Sequence, residues 1–301
     1  MKTVRLGGML RRIGTYLEMI KVAHTVFALP FALVGMFLAS RESGAAYALP
    51  APRTVLFILL AMVGARSAAM GFNRLADAEI DARNPRTKNR AIPAGEISRS
   101  MAGALVAASS LLLVFAAWKL NSLAFKLSPL LLLFLFFYSY TKRFTWISHI
   151  VLGACLGAAP LAAWIAVTGE TDARILSICF AVMFWTAGFD VLYAMQDIEF
   201  DRAAGLHSIP RFLGVKKSLW VARVFHLVMA MLLLLSYYLF GLGWLYLAGL
   251  ALCLAVLVYE HSIIREDDLS RLDMAFFNLN GIVSIAYCLF TYFDLTIWRG
   301  P

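Results

Sequence analysis

The chain has 301 residues, of which 61% are hydrophobic and only 15% charged, and its net charge is +9. A soluble domain carries roughly 25% charged residues, so this balance excludes an ordinary soluble fold. The four cysteines, Cys155, Cys179, Cys253 and Cys288, all fall in apolar runs without a C-x-x-C pair, which excludes a disulfide framework and a zinc site.

Lys2, Arg5, Arg11 and Arg12 lead into the first apolar run, 22–40. That run contains Pro30 and ends in "FLASRES", with no small-x-small cleavage site, so it is expected to remain as a span and not to be removed as a signal. His24, early in this run, reads as a structural hydrogen-bonding residue. Further apolar runs follow at 54–72, 101–118, 123–141, 150–168, 175–195, 219–239, 241–259 and 274–296. Each is about 18 residues or longer, enough to cross a bilayer as a helix. The sequence therefore predicts an all-α integral membrane protein with nine transmembrane helices, residues 1–301 forming one helical unit.

The second run closes on "FNRLADAEIDARNPRTKNRAIPAG", residues 72–95. Residues four apart on a helix share a face, so Asn73, Asp77 and Asp81 form a polar ladder, followed by Arg83, Arg86, Lys88 and Arg90. The sixth run closes on "GFDVLYAMQDIEFDRAAGLHSIPRFLG", residues 188–214. Here Tyr193, Asp197 and Asp201 form a second ladder, and His207, Ser208 and Arg211 read as part of a lid. Asn73 and Asp197, at the ends of the second and sixth spans, make a weak internal echo. Glu79 and Glu199 fall between rungs and read as solvated.

Positive charge orients the array. With alternate loops on opposite sides, 19 Lys and Arg fall on the side of both ladders and six on the other. The N-terminus and both ladders are thus expected in the cytoplasm. The net charge reflects this bias and anion-facing loops, with no nucleic-acid footprint.

Like charges so near hydrocarbon need neutralising. Hard oxygen donors, without Cys or clustered His, favour magnesium over zinc. Magnesium held by carboxylates completes its shell with water and substrate phosphate, and neighbouring Arg and Lys would grip the other phosphate oxygens. Each ladder thus reads as half of a magnesium–diphosphate site. Arg66 and Asp190 each lie two helical turns deeper, as pocket residues or as an ion pair with each other.

At these residues the sequence resembles the UbiA superfamily of intramembrane prenyltransferases. "NRLADAEID" is similar to its first motif, N-D-x-x-D-x-x-x-D, with Arg74 where many members have Asp, and "YAMQDIEFD" to its second, Y-x-x-x-D-x-x-x-D. "RSAAMGFNR", "GFDVLYA" and "YSYTKRFTWISHIVLG" also resemble family segments. "HTVFALPFAL" and "GLHSIP" resemble the 4-hydroxybenzoate polyprenyltransferase-like branch, which includes relatives of the futalosine route to menaquinone.

The resemblance implies a helical bundle around a central cavity, capped by cytoplasmic loops. It implies Mg²⁺ on Asn73, Asp77, Asp81, Asp197 and Asp201, diphosphate contacts from Arg74, Lys88, Arg90, Lys142 and Arg143, and catalytic roles for Arg66, Asp190 and Tyr193. Arg66 would read an acceptor carboxylate, Asp190 would hold Arg66 or help deprotonate a phenol, and Phe72 and Tyr193 would face an allylic cation. The expected partners are a polyprenyl diphosphate and a small aromatic acceptor within a bacterial cytoplasmic membrane, with no obligate protein partner. Two other classes compete. A secondary transporter would place such groups at the midplane, and a CDP-alcohol phosphotransferase would carry a D-G-x-x-A-R string, which this chain lacks.

Overall fold

The structure is a computed structural model that describes residues 25–297 and Gly14. Lys2, Arg5, Arg11, Arg12, Lys21, His24 and Arg299, used above for orientation and for the first span, lie outside the described residues. The described residues are 82% helix, with no strand among them. In hydrocarbon no water is available to backbone N–H and C=O groups, so they bond within their own segment.

The long helices are α1 (Thr25–Glu42), α2 (Pro52–Ala76), α3 (Arg99–Leu120), α4 (Ser122–Thr141), α5 (Ser148–Thr168), α6 (Leu176–Ala194), α7 (Ile209–Leu239), α8 (Trp244–Ile263) and α9 (Asn280–Ile297). From Pro52 onward, eight helical stretches among the described residues are long and apolar enough to cross a membrane. Helix α1, at the edge of the described residues, packs against α5 and α9 in the same bundle. The seventh run begins earlier than its hydropathy suggests. Ser208 caps α7 by accepting a hydrogen bond from Arg211 N at 3.3 Å, Pro210 sits in the first turn, and Gly214 bends the helix at φ 75°, a conformation that favours glycine.

Two close contacts set the interior. Gly153 and Gly157 of α5 lie against α6, where a Cβ would run into the carbonyls of Met183 and Cys179 respectively. Small residues four apart let membrane helices approach backbone to backbone. At the other end of the bundle the buried Asp294 of α9 accepts hydrogen bonds from Gly243 N at 2.7 Å and Tyr246 N at 3.1 Å, satisfying the free donors that open α8.

The main apolar core joins α1 to α5–α9 through Phe31, Trp185, Met229, Tyr246 and Tyr287. A smaller cluster, Ala68, Leu113 and Leu132, ties α2 to α3 and α4. Leu111, Leu133, Trp220 and Leu227 are exposed, as a bilayer allows. Within the bundle lies a cavity of about 1330 Å³, lined from α1 through α6 and by residues 273–277.

Candidate functional site

Both ladders open into this one cavity. Asn73, Asp77, Asp81, Tyr193, Asp197 and Asp201 all line it. Each ladder bends at its middle rung. Helix α2 ends at Asp77, which has φ −95° and ψ 3°, and a short helix, Ala78–Arg83, takes over. The second ladder turns at Asp197, with φ −105° and ψ 6°, into the short helix Ile198–Ala204. This bridge region is sparsely populated and common at active sites. The i to i+4 spacing survives the first bend, because Asp77 N bonds to Asn73 O at 2.9 Å and Asp81 N to Asp77 O at 2.8 Å. Asp77 and Asp197 share nearly the same backbone conformation, whereas the spacing in sequence had set Asn73 beside Asp197.

Basic side chains hold Asp77, Asp81 and Asp197. Lys142 Nζ lies 2.6 Å from Asp77 Oδ2, and Arg143 Nη2 lies 3.5 Å from Asp77 Oδ1. Asn73 Nδ2 donates to Asp77 Oδ2 at 3.1 Å. Arg90 Nη1 is 2.7 Å from Asp81 Oδ1. Arg86 grips both oxygens of Asp197, donates to Tyr193 Oη at 3.2 Å, and stacks over the Tyr193 ring at 5.3 Å. Asn84 Nδ2 also donates to Asp197 Oδ1, at 3.1 Å. The loop after the first ladder thus reaches across to the second and joins the two halves. Burial alone would lower the Arg86 guanidinium, but its hydrogen bonds and attraction to Asp197 outweigh this and hold it above its ordinary value.

The donor set suits a hard cation. Among the described residues no three acids, cysteines or histidines are already gathered to hold a metal; Asp77, Asp81 and Asp197 are each engaged by a base and Asp201 by the Ser208 hydroxyl. The oxygens nevertheless surround one cavity end, and Asp81 Oδ2 is buried without a hydrogen bond. A carboxylate oxygen in that position needs a cation. The residues fit magnesium provided that the bases exchange carboxylate for phosphate.

Several expectations land elsewhere. Lys88 is exposed, and neither it nor Arg143 lines the cavity. Arg86, two residues earlier, occupies the bridging place, because the turn from Asn84 to Arg90 points successive side chains in different directions. Phe72 stacks on Phe136 at 4.2 Å and is not part of the wall. The aromatic lining includes Phe27, Phe134, Tyr138, Phe189, Tyr193 and Phe276. Arg66 and Arg74 line the cavity, as do Arg90 and Lys142. Glu79 and Glu199 are exposed and pair with Arg99 and Arg202.

Asp190 has a partner that its spacing did not reveal. His149 Nδ1 lies 2.7 Å from Asp190 Oδ2, whereas the pairing expected from depth alone was with Arg66. The two residues are 41 apart in the chain and on different helices, so no local pattern could connect them. The lid residues are anchored: His207 N donates to Lys142 O at 2.7 Å, Ser208 Oγ to Asp201 Oδ2 at 2.7 Å, and Arg211 to Leu206 O.

The cavity couples this polar end to a long apolar tract lined by Ile58, Met62, Leu113, Leu131, Leu156 and Ala159. It exceeds the ~300–1,000 Å³ of ordinary small-molecule pockets. A lipid-tailed diphosphate matches that shape.

Comparison with known proteins agrees. The family model described as the UbiA prenyltransferase family matches residues 28–282. A 4-hydroxybenzoate octaprenyltransferase of Vibrio campbellii is 30% identical over 253 residues, covering 82% of this chain and 88% of the relative. One from Thiobacillus denitrificans is 33% identical over 210 residues, covering 70% and 71%. Among solved structures, the apo form of a UbiA homolog from Aeropyrum pernix superposes with a TM-score of 0.79 at 34% identity, covering 89% of this chain and 96% of that one. A UbiA homolog from Archaeoglobus fulgidus, bound to GPP and Mg²⁺, shares the fold at a TM-score of 0.72 and 19% identity, covering 94% and 100%.

Proposed function

The chain belongs to the UbiA prenyltransferase family and is a prenyltransferase; on that premise we propose that it moves a polyprenyl group from polyprenyl diphosphate onto a 4-hydroxybenzoate-type aromatic acid in quinone biosynthesis. Family membership removes the transporter and the CDP-alcohol phosphotransferase as alternatives. The reading rests on one observation: two acid ladders and their bases meet at the polar mouth of one long apolar cavity.

Asn73, Asp77, Asp81, Asp197 and Asp201 would hold Mg²⁺, which supplies Lewis-acid neutralisation of the diphosphate charge. Arg86, Arg90 and Lys142, now paired with Asp197, Asp81 and Asp77, release their carboxylates and turn to the phosphate oxygens, with Arg74 beneath and Arg143 at the rim. Cations aimed where negative charge develops are commonly the largest catalytic contribution. The allylic C–O bond then breaks, its electron pair leaving on the diphosphate. Phe189, Tyr193 and Phe276 offer π-faces to the allylic cation, and the apolar walls keep water from capturing it. Arg66 reads the acceptor carboxylate, and Asp190 receives the phenolic proton. Residues 1–301 act as one domain in a bacterial cytoplasmic membrane, with the polar mouth on the cytoplasmic side.

The test uses purified protein in detergent with Mg²⁺, a polyprenyl diphosphate and a panel of phenolic acids, followed by pyrophosphate release and product mass. Chelation should stop turnover and added Mg²⁺ restore it. Asp77→Asn and Asp197→Asn should each lower kcat by about 10²-fold or more while the protein stays monodisperse. Full activity in either variant would overturn the metal assignment.

A further inference from the structure

We propose that His149 is the positioning residue of the acceptor half-site, holding Asp190 in the orientation that takes the acceptor's proton; this rests on the prenyl-transfer reading above. Three observations carry it. His149 is buried, at 4% exposure, yet lines the cavity beside Asp190. Ile209 N donates to His149 Nε2 at 3.3 Å. His149 Nδ1 lies 2.7 Å from Asp190 Oδ2.

Together they settle the tautomer. A backbone N–H can only donate, so Nε2 accepts and carries no proton. The ring proton therefore sits on Nδ1 and is donated to Asp190. A neutral imidazole fixed at both nitrogens cannot rotate, and the carboxylate it holds is fixed with it. Asp190 keeps partial exposure to the cavity, with 23% of its side chain accessible, so it can still meet a substrate.

The turn that fixes His149 also serves the diphosphate half-site. His207 N bonds to Lys142 O, Ser208 Oγ bonds to Asp201, and Ile209 N bonds to His149. Three successive residues thus tie the base for the acceptor to a cation and an acid of the donor site. A packing histidine would not need both nitrogens engaged across three helices at the cavity wall.

In the step so assisted, the phenolic O–H bond breaks and its proton passes to the Asp190 carboxylate. The electron pair is delocalised to the ortho carbon, which forms the new C–C bond to the allylic cation left when the C–O bond to diphosphate has broken. The ring C–H proton leaves to the diphosphate, and Asp190 returns its proton to the oxygen. The ring is aromatic again and the charges balance.

His149→Leu removes both hydrogen bonds, and His149→Asn retains a donor toward Asp190. With a phenolic acid acceptor, His149→Leu should lower kcat by about 10- to 100-fold, part of the ~10²–10⁴ that a positioned base supplies. The KM for polyprenyl diphosphate should stay within about twofold, because the turn keeps its bonds to Lys142 and Asp201 when the one to His149 is lost. His149→Asn should recover to within about fivefold of the parent. A ring-fluorinated acceptor, whose hydroxyl is more acidic, should shrink the His149→Leu defect, since a good acid depends less on its base. Parental kcat in His149→Leu, or an equal loss with both acceptors, overturns the role of His149. If the parent protein releases no pyrophosphate with any phenolic acid, the functional reading itself falls.

Discussion

Arg86 is held three ways at once: by the two oxygens of Asp197, by the Tyr193 hydroxyl, and by the face of the Tyr193 ring. Its planar fork suits a carboxylate and a phosphate equally well, so it can exchange one for the other without moving far. Arg86→Ala should raise the KM for polyprenyl diphosphate and lower kcat/KM by about 10- to 100-fold, the worth of a charge-assisted hydrogen bond or two. Arg86→Lys should recover little of this, because a point charge cannot replace a fork. Steady-state kinetics with the diphosphate varied will check both. At this scale the acids were legible in the sequence. Four-residue spacing names Asp77, Asp81, Asp197 and Asp201 because a helix turns every 3.6 residues, and the chain keeps that register through the first bend. The bases and His149 were less legible. Which of Arg86, Lys88 and Arg90 turns inward depends on the loop conformation, and the partner of Asp190 comes from another helix.

Among the elements, α5 decides how closely the donor and acceptor walls stand. It carries His149 at its start and packs on α6, the helix of Asp190 and Tyr193, through Gly153 and Gly157. Backbone carbonyls of α6 face both glycines, so an added side chain has nothing flexible to displace. Gly153→Val and Gly157→Val should each destabilise the protein by about 1–3 kcal/mol, the usual cost of overpacking, read as a lower apparent Tm in detergent. Gly103 of α3 has open space at its Cβ position, so Gly103→Ala should leave the apparent Tm near the parent's. Nothing in the spacing of Gly153 and Gly157 names the helix they meet. The same holds for Asp294, an isolated acid in an apolar run whose role as the tertiary cap of α8 appears only when α9 is packed beside it.

At the scale of the molecule, the two ladders share one end of the bundle, with Arg174, Asp172 and Glu42 paired at another place in the fold. On the charge bias of the loops, the ladder end is expected in the cytoplasm. In a chain freed of its four cysteines, which are all buried, a single cysteine at Glu96 or Arg202 should react with an impermeant maleimide in inverted membrane vesicles. One at Glu170 should react in spheroplasts. The reverse pattern would place the site on the outer face.

The sequence by itself determined that this is a helical membrane protein with two oxygen-rich helix ends. Bilayer insertion and helical periodicity are local properties, read over windows of about 20 residues and four residues respectively. The tertiary structure decided which bases neutralise which acids, that the first loop crosses to Asp197, and that His149 holds Asp190. Those contacts join residues from 9 to 113 apart in the chain, and long-range pairing follows from how helices pack, which no local pattern encodes.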